Sequence, residues 1–269
     1  MIWLKRIFVF IFLLVSFVYV AAGTFLYFNQ NQFLFLNERL SEDYEFRKGT
    51  EVEVEVEDGL FLSCYHNQLR NPKGVILYFH GNKGSIRRCI RQTAAMEGLG
   101  YDIFMPDYRS YGKSDGENTD EDQFFQDAQK IYDHVKAKYD ESEIVLLGYS
   151  LGTAPASYLA ANNSPKHLFL VSPFHSIIDI VRSYFPLVPD FLFKYPFKNH
   201  EHLEKVECPV DIFYAPEDRV VPADSSLKLR ESKQNARFHI LRNSSHRGAI
   251  FHHTLSNTLS KVLVQNWIS

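Results

Sequence analysis

A serine between two glycines is the residue whose setting most clearly suggests chemistry. Ser150 lies in the segment Gly148-Tyr-Ser-Leu-Gly152, after the apolar run of residues 144–147 and before a stretch with helical spacing. Between a strand and a helix, this pattern indicates a sharp turn that projects the serine hydroxyl from the edge of a sheet, with glycines where side chains would collide. The pattern predicts that Ser150 is a nucleophile. The alternative is a glycine-lined turn that serves packing alone.

A serine hydroxyl is a weak nucleophile, so it needs a base to take its proton and an acid to orient that base. Loops later in the chain offer both partners. Asp218 follows a predicted strand that ends at Ala215, with Glu217 as the second candidate. His246 lies in a polar loop after the next predicted strand. We therefore predict a triad of Ser150, Asp218 and His246. The histidines predicted to lie in a strand or on a helix, without a catalytic role, are His239, His252 and His253.

Attack on a carbonyl group places negative charge on its oxygen, which backbone N–H groups can stabilise. One expected donor is Leu151, the residue after the nucleophile, and the other is Asn82, in the loop after an earlier strand. His80 ends that strand before a glycine turn, so we expect a structural role for it. Asp107 and Arg109 are likewise expected to hold their own loop.

Short apolar segments alternate with amphipathic segments over most of the chain. Residues 51–57 alternate strictly between glutamate and valine, which predicts a strand with one wet face. Asp58-Gly59 predicts a hairpin turn into residues 60–66, and residues 121–139 have helical spacing. This order predicts an α/β fold, with an open, mostly parallel sheet, helices on both faces and an antiparallel start. The other predicted strands are continuous apolar runs at residues 74–79, 102–105, 144–147, 167–171, 210–214 and 236–241.

Residues 173–207 interrupt this alternation with a segment rich in phenylalanine, tyrosine and proline. The segment is too long for a plain connection, and its aromatic content favours a packed helical cap over a disordered insert. Such a cap would supply apolar walls for a substrate. Tyr149, beside the nucleophile, and Phe174, in this segment, are the predicted substrate-binding residues. The other expected wall residues are Tyr184, Phe185, Phe191 and Phe193.

The beginning of the chain is typical of a membrane segment. Residues 7–28 carry no charge, and about 22 residues at about 1.5 Å each span a hydrocarbon layer of about 30 Å. The alternative is a cleaved signal peptide, but this apolar stretch is longer than the core of a signal peptide. Lys5 and Arg6 precede it, which favours a cytoplasmic N-terminus. The predicted division is an anchor at residues 1–28, a juxtamembrane linker at 29–48 and a folded domain at 49–269.

The composition argues against several other classes of protein. The chain has 269 residues and a formal net charge of -3, so no excess of basic residues favours nucleic acid. Its three cysteines show no zinc-ligand spacing, and we expect neither a metal nor an organic cofactor. The expected partners are a small-molecule, lipid or acylated substrate and the membrane itself.

Six motifs in order resemble the α/β-hydrolase superfamily, and within it the serine hydrolases of the Bem46 group, whose members often carry an N-terminal membrane segment. The motifs are YFHGN, DYRSYGKSDG, LLGYSLGTA, SPFHSIIDI, APEDRVVP and NSSH. The resemblance implies the α/β-hydrolase fold and places the family's nucleophile, acid and base on Ser150, Asp218 and His246. Lys83 and Ser110 depart from the smaller residues that are usual in the family at these positions.

The residues and the resemblance together predict a membrane-anchored serine hydrolase. We expect it to cleave ester, thioester or amide bonds through an acyl-serine intermediate, and the anchor and the aromatic cap favour lipid or acylated substrates. The alternative is a catalytically silent binding or scaffold protein at the membrane. Asn243-Ser-Ser245 is a glycosylation pattern beside the predicted base, where a glycan would obstruct the site. We therefore predict a catalytic domain on the periplasmic side of a bacterial membrane.

Overall fold

A mixed sheet forms the centre of the computed structural model, which describes residues 2–264. The strands are β1 Leu36–Asn37, β2 Thr50–Glu57, β3 Leu60–Asn67, β4 Val75–Phe79, β5 Lys83–Gly84, β6 Asp102–Pro106, β7 Ile144–Tyr149, β8 His167–Val171, β9 Val210–Tyr214 and β10 Arg237–Ile240. Eight of them form one sheet in the order β10-β9-β8-β7-β4-β6-β3-β2. The strands from β10 to β6 run parallel, whereas β3 pairs antiparallel with both β6 and β2.

The burial of each strand follows its sequence pattern. In β2 the glutamates face solvent while Val54 is buried, as strict alternation predicts. The central strands β4, β6, β7, β8 and β9 are buried along their whole length. Such strands need a helical layer on each side, which explains their continuous apolar runs.

Helices cover both faces of the sheet. They are α1 Ile2–Leu34, α2 Ile86–Cys89, α3 Glu121–Lys136, α4 Thr153–Asn162, α5 Ile177–Tyr184, α6 Asn199–Leu203, α7 Ala223–Ser232, α8 His246–Ala249 and α9 His253–Leu263. Alternate residues of β7 belong to different apolar cores: Leu146 packs with residues of α3 and α4, and Leu147 packs with residues of α9. The two-residue period of the strand therefore divides the core into two layers.

The segment at 173–207 is a small helical cap. It contains α5, α6 and a short 3-10 helix at Asp190–Leu192. Asn199 at the start of α6 donates hydrogen bonds to the Thr153 hydroxyl at 3.1 Å and to the Phe174 carbonyl at 2.9 Å. These buried bonds fix the base of the cap to the helix that follows Ser150.

The N-terminal helix α1 differs from every other helix in its exposure. It continues past Phe28 to Leu34, and by length and composition it is apolar enough to cross a membrane. The apolar side chains in its first half are exposed. Directly after it, β1 pairs in parallel with β5, so the chain segment next to α1 is joined to the loop that follows β4.

Candidate active site

The turn at Ser150 is as tight as the glycine pattern predicts. Ser150 has a φ of +52°, in the left-handed region that non-glycine residues rarely adopt. A Cβ atom on Gly148 would lie 2.5 Å from the Gly152 carbonyl oxygen, and one on Gly152 would lie 2.0 Å from the Phe79 carbonyl oxygen. Neither contact is tolerable, so both glycines are required for the close approach of β7, α4 and β4.

The structure brings the three predicted triad residues into one line of hydrogen bonds. His246 Nε2 lies 2.9 Å from Ser150 Oγ, and His246 Nδ1 lies 2.7 Å from Asp218 Oδ2. Ser150 and Asp218 are buried, with 8% and 7% of their surfaces exposed. The three residues come from three loops at the carboxyl edge of the sheet, after β7, β9 and β10.

Asp218 is held in its charged form. Burial works against ionisation, but the hydrogen bond from His246 and the backbone N–H groups of Val220 and Val221 outweigh it and lower the pKa of Asp218. Those N–H groups donate to Oδ1 at 2.8 and 2.9 Å. An ionised Asp218 accepts a hydrogen bond from the Nδ1–H of His246, which leaves Nε2 free to accept a hydrogen bond from the Ser150 hydroxyl.

Tyr149, a predicted substrate-binding residue, lies against the base. Its ring stacks on the His246 ring with 5.4 Å between centroids, and its hydroxyl donates to the His246 carbonyl at 2.9 Å. Tyr149 therefore fixes both the backbone and the ring plane of His246.

The two predicted oxyanion donors flank the nucleophile. Leu151 follows Ser150 in the turn, and Asn82 lies in the same cleft as Ser150. Within the described residues, neither backbone N–H has a protein acceptor. The Asn82 carbonyl accepts from Leu36 N–H at 2.9 Å and from the Tyr111 hydroxyl at 2.6 Å. The Asn82 side chain donates to the Leu34 carbonyl at 3.0 Å, so the end of α1 holds this loop.

His80, Asp107 and Arg109 hold loops around the site. The buried His80 ring contacts the Gly81 carbonyl at 2.7 Å and Asp107 at 3.2 Å, and Asp107 also accepts from Ile86 N–H. Arg109 binds Asp127 through two hydrogen bonds of 2.7 and 2.9 Å. None of these groups contacts the Ser150 hydroxyl, in agreement with the structural roles expected for them.

A cleft of about 630 Å³ opens over Ser150 and His246. Its lining contains no acidic residue from the part of the chain that the structure describes. Within the same residues, no cluster of three or more histidine, cysteine, aspartate or glutamate side chains could hold a metal. The basic lining residues are Lys83, Arg88, Arg91 and Arg247. The cleft is therefore suited to an anionic ligand.

The predicted wall residues of the cap lie elsewhere. Phe174 is packed in the main core with 2% of its surface exposed, and it does not line the cleft. Phe174 lies two residues after Ser172, in the same apolar core as residues of α4, and its carbonyl accepts a hydrogen bond from Asn199. Tyr184 and Phe185 face α1 instead. The residues that line the cleft but were not predicted include Arg88 and Arg91, and the signal for them is a basic run without acidic residues after β5.

The fold and this site define a class, that of α/β hydrolases with a serine at the elbow after the central strand. A sequence profile for the family described as "Serine aminopeptidase, S33" matches residues 70–199. An esterase of Pyrococcus furiosus superposes with a TM-score of 0.68 at 17% identity, covering 87% of this chain and 98% of the other. The esterase Est1E of Butyrivibrio proteoclasticus superposes with a TM-score of 0.66 at 18% identity, covering 81% of this chain and all of the other.

Curated relatives give the same result from sequence. The lysophosphatidylserine lipases ABHD12 of Macaca fascicularis and Mus musculus are each 30% identical over 187 residues, covering 61% of this chain and 46% of theirs. An uncharacterized protein of Mycobacterium tuberculosis is 30% identical over 188 residues, covering 67% of this chain and 66% of its own. The structure and these similarities confirm the predicted α/β-hydrolase fold. It spans about half the length of the ABHD12 proteins.

Proposed function

We propose that this protein is a membrane-anchored serine hydrolase that uses Ser150, His246 and Asp218. The observation that carries the proposal is the unbroken line of hydrogen bonds from the Ser150 hydroxyl through His246 to Asp218. A serine used only for packing would need no imidazole nitrogen at its hydroxyl and no carboxylate behind that imidazole. The arrangement instead matches what an activated serine nucleophile requires.

The reaction follows from these positions. Ser150 Oγ attacks the substrate carbonyl carbon while His246 Nε2 takes the hydroxyl proton, and the carbonyl oxygen becomes an oxyanion. The N–H groups of Asn82 and Leu151 stabilise that charge. When the intermediate collapses, His246 returns the proton to the leaving group and an acyl-serine remains. A water molecule, deprotonated by His246, then attacks the acyl carbon, and the acid product leaves as Ser150 regains its proton.

The basic cleft favours an acyl ester with an anionic leaving group. Four cationic side chains line it, and no acidic residue among the described ones offsets them there. The similarity to proteins named lysophosphatidylserine lipases fits this charge, because such a substrate joins an acyl ester to a phosphate headgroup. We therefore propose an anionic lipid as the substrate class, with the headgroup at Lys83, Arg88, Arg91 and Arg247.

The placement at a membrane rests on α1. This helix contains an apolar stretch long enough to cross a membrane, and Lys5 and Arg6 precede its uncharged part. The positive-inside rule favours the N-terminus in the cytoplasm and the catalytic domain on the opposite, extracytoplasmic side. Because Asn82 is bonded to the end of α1, the proposed oxyanion site lies close to the membrane surface.

The mechanism is tested with a fluorophosphonate probe, which forms a phosphonate ester on an activated serine with loss of fluoride. We expect labelling of Ser150 in the wild type and none in Ser150→Ala, with ester turnover lowered by at least ~10⁴-fold. Ser157→Ala is the matched control, because Ser157 is buried in α4 and its hydroxyl has no partner among the described residues. A folded wild type that resists the probe and does not turn over esters would contradict catalysis and support the binding function.

The substrate class is tested by neutralising the basic lining. In Arg88→Gln/Arg91→Gln, we expect kcat/KM for an anionic acyl ester to fall about tenfold or more, because each charge-assisted hydrogen bond contributes about 1.5–3 kcal/mol. Turnover of a neutral ester with the same acyl chain should stay unchanged. Arg87→Gln is the control, since Arg87 pairs with Glu38 and does not line the cleft. Equal losses for both esters would argue against a headgroup site.

A further inference from the structure

The tip of the cap is apolar and exposed. Residues 184–189 read Tyr-Phe-Pro-Leu-Val-Pro, without a charge. Leu187 has 79% of its surface exposed, and Phe191, just beyond the segment, has 80%. Arg182 and Asp190 form an ion pair that borders the apolar run. Exposed apolar patches of this kind mark sites of contact with proteins or membranes.

This segment, called the cap tip below (residues 184–189), docks along α1. The Tyr19 hydroxyl donates to the Leu187 carbonyl at 2.7 Å. Leu192, just after the cap tip, packs at Gly23, where an added Cβ would lie 3.2 Å from the leucine Cδ1. Gln30 donates to the Leu192 carbonyl at 2.7 Å. The contacts therefore extend along α1 from Tyr19 to Gln30.

The position of Tyr19 along α1 fixes the depth of the cap tip. A span of about 20 residues that starts anywhere between Ile2 and Ile7 includes Tyr19. Lys194 lies over the Tyr27 ring at 4.8 Å, and tyrosine and lysine side chains are both typical anchors at the membrane interface. Tyr19 lies eight residues before Tyr27, which is about 12 Å along the helix axis at about 1.5 Å per residue. Leu187, which contacts Tyr19, is therefore at the level of the hydrocarbon.

Part of the cap-tip backbone is paired within the protein. Lipid-exposed backbone must satisfy its polar groups within the protein. Pro186 and Pro189 have no N–H, and the N–H groups of Phe185 and Val188 donate to Val181 and Phe185. The Leu187 carbonyl accepts from Tyr19. In the described residues 184–189, this leaves the Leu187 N–H and the carbonyls of Tyr184, Pro186 and Val188 without a protein partner.

A groove between α1 and the cap tip completes the apolar surface. It has a volume of about 500 Å³, and among the described residues no acidic or basic side chain lines it. Its lining residues are Tyr19, Ala22, Gly23, Phe25, Leu26, Tyr184, Phe185, Pro186, Leu187, Val188, Pro189 and Leu192. A groove of this shape and chemistry, beside a membrane helix, fits a hydrocarbon chain.

We propose that the cap tip is embedded in the same lipid layer as α1 and that a lipid acyl chain occupies the groove between them. The inference rests on the membrane placement of α1 proposed above, but it does not depend on catalysis. The protein would then contact the bilayer through a helix and a loop, which fixes the rotation of the domain about α1. The cleft over Ser150 would face the surface from which a lipid ester enters.

Quenching of tryptophan fluorescence by brominated lipids tests the depth. The full chain carries Trp3 and Trp267, which are replaced by phenylalanine, and a single tryptophan is introduced at Leu187. We expect Leu187→Trp in vesicles of brominated phosphatidylcholine to be quenched as strongly as Phe17→Trp, on the exposed side of α1. Leu69→Trp, beyond β3 at the opposite edge of the sheet, should be quenched little.

Phe185→Trp is a second variant of the cap tip, for use if Leu187→Trp does not fold. The embedded cap tip would be overturned if Phe17 were strongly quenched but Leu187 and Phe185 were quenched no more than Leu69. That result would leave α1 in the membrane. Weak quenching at Phe17 as well would overturn both placements. Ser150→Ala should leave the quenching unchanged, so a failure of the proposed catalysis is distinguished from a failure of this inference.

Discussion

One aspartate lies near the amino end of strand β9 and another lies beyond its carboxyl end. Each binds histidine, but only one of these two aspartate–histidine groups resembles an active site. Asp211 lies near the amino end of β9, and Asp218 lies in the loop after its carboxyl end. Both carboxylates are buried. Both have a lowered pKa because the hydrogen bonds that they accept outweigh the burial that opposes ionisation. The difference between them lies in what surrounds the histidines.

Asp211 is the centre of a closed cluster. His167 Nε2 and His239 Nε2 lie 2.7 and 2.6 Å from its oxygens, and Arg237 Nε donates at 2.9 Å. Three side chains therefore occupy both oxygens of the carboxylate, and these hydrogen bonds join β8, β9 and β10. The cluster is suited to holding the amino edge of the sheet together.

Asp218 is instead one end of an open line. One oxygen accepts backbone N–H groups, the other accepts His246, and the far nitrogen of His246 reaches the Ser150 hydroxyl in the cleft. In the proposed mechanism, the same residue types are structural or catalytic according to whether the histidine has a hydroxyl and a cleft on its other side. The following variants test that distinction.

Replacement of His246 and His239 by alanine should give the largest difference in ester turnover between the two groups. We expect His246→Ala to lower ester turnover by ~10⁴-fold or more, because nothing else at Ser150 can take its proton. His239→Ala, its matched control in the closed cluster, should keep turnover within a fewfold of the wild type once the folded fraction is measured by circular dichroism. Equal losses in both variants would mean that the two clusters do not differ in function.

Substitution of Asp218 should lower activity more than stability, and substitution of Asp211 should lower stability more than activity. Asp218→Asn should lower kcat by ~10³–10⁴-fold, since the amide no longer holds His246 in the required tautomer, with a small change in unfolding free energy. Asp211→Asn should lower the unfolding free energy by on the order of 2 kcal/mol, because it removes the charge that strengthens the hydrogen bonds from His167, His239 and the half-exposed Arg237. The folded fraction of Asp211→Asn should remain active. Urea unfolding and steady-state kinetics on both variants measure the two effects, and a stable Asp211→Asn would argue against the structural role of this cluster.

The sequence predicts that Ser150, His246 and Asp218 meet at one edge of the sheet, because its signals are local and ordered. A buried parallel strand is a continuous apolar run, and the loop after it faces the active edge, so Ser150, Asp218 and His246 each follow a recognisable strand. The same logic places Asp211 at the other end of β9 and His239 inside a strand. The hairpin of β2 and β3 follows from the strict alternation of glutamate and valine.

Contacts between distant segments could not be predicted in this way. No local pattern indicates that Leu34 and Leu36, at the end of α1, bind Asn82. The aromatic residues of the cap were expected to line the cleft, yet Tyr184 and Phe185 lie against α1. Apolar periodicity shows that a side chain is buried or partnered but not by which element, and the partner here is a helix more than a hundred residues away in the chain.

The dependence of stability on pH gives the smallest and most specific test of the closed cluster. The pKa of Asp211 is held well below its ordinary value, because its bonds to His167, His239 and Arg237 outweigh burial. Such a group contributes stability that is fully present above its unfolded pKa of about 3.9 and is lost as the pH falls through the folded pKa. The wild type should therefore lose unfolding free energy below about pH 4, and Asp211→Asn should lose less over the same range.

The gap in stability between wild type and Asp211→Asn should consequently narrow as the pH falls from 5 to 3. Asp58→Asn, in the turn between β2 and β3, is the control and should follow the wild type at every pH. Thermal unfolding at each pH measures the gap. A difference in unfolding free energy that stays constant with pH would show that Asp211 acts through packing rather than through its charge. The two ends of β9 would then differ in electrostatics as well as in their access to a hydroxyl.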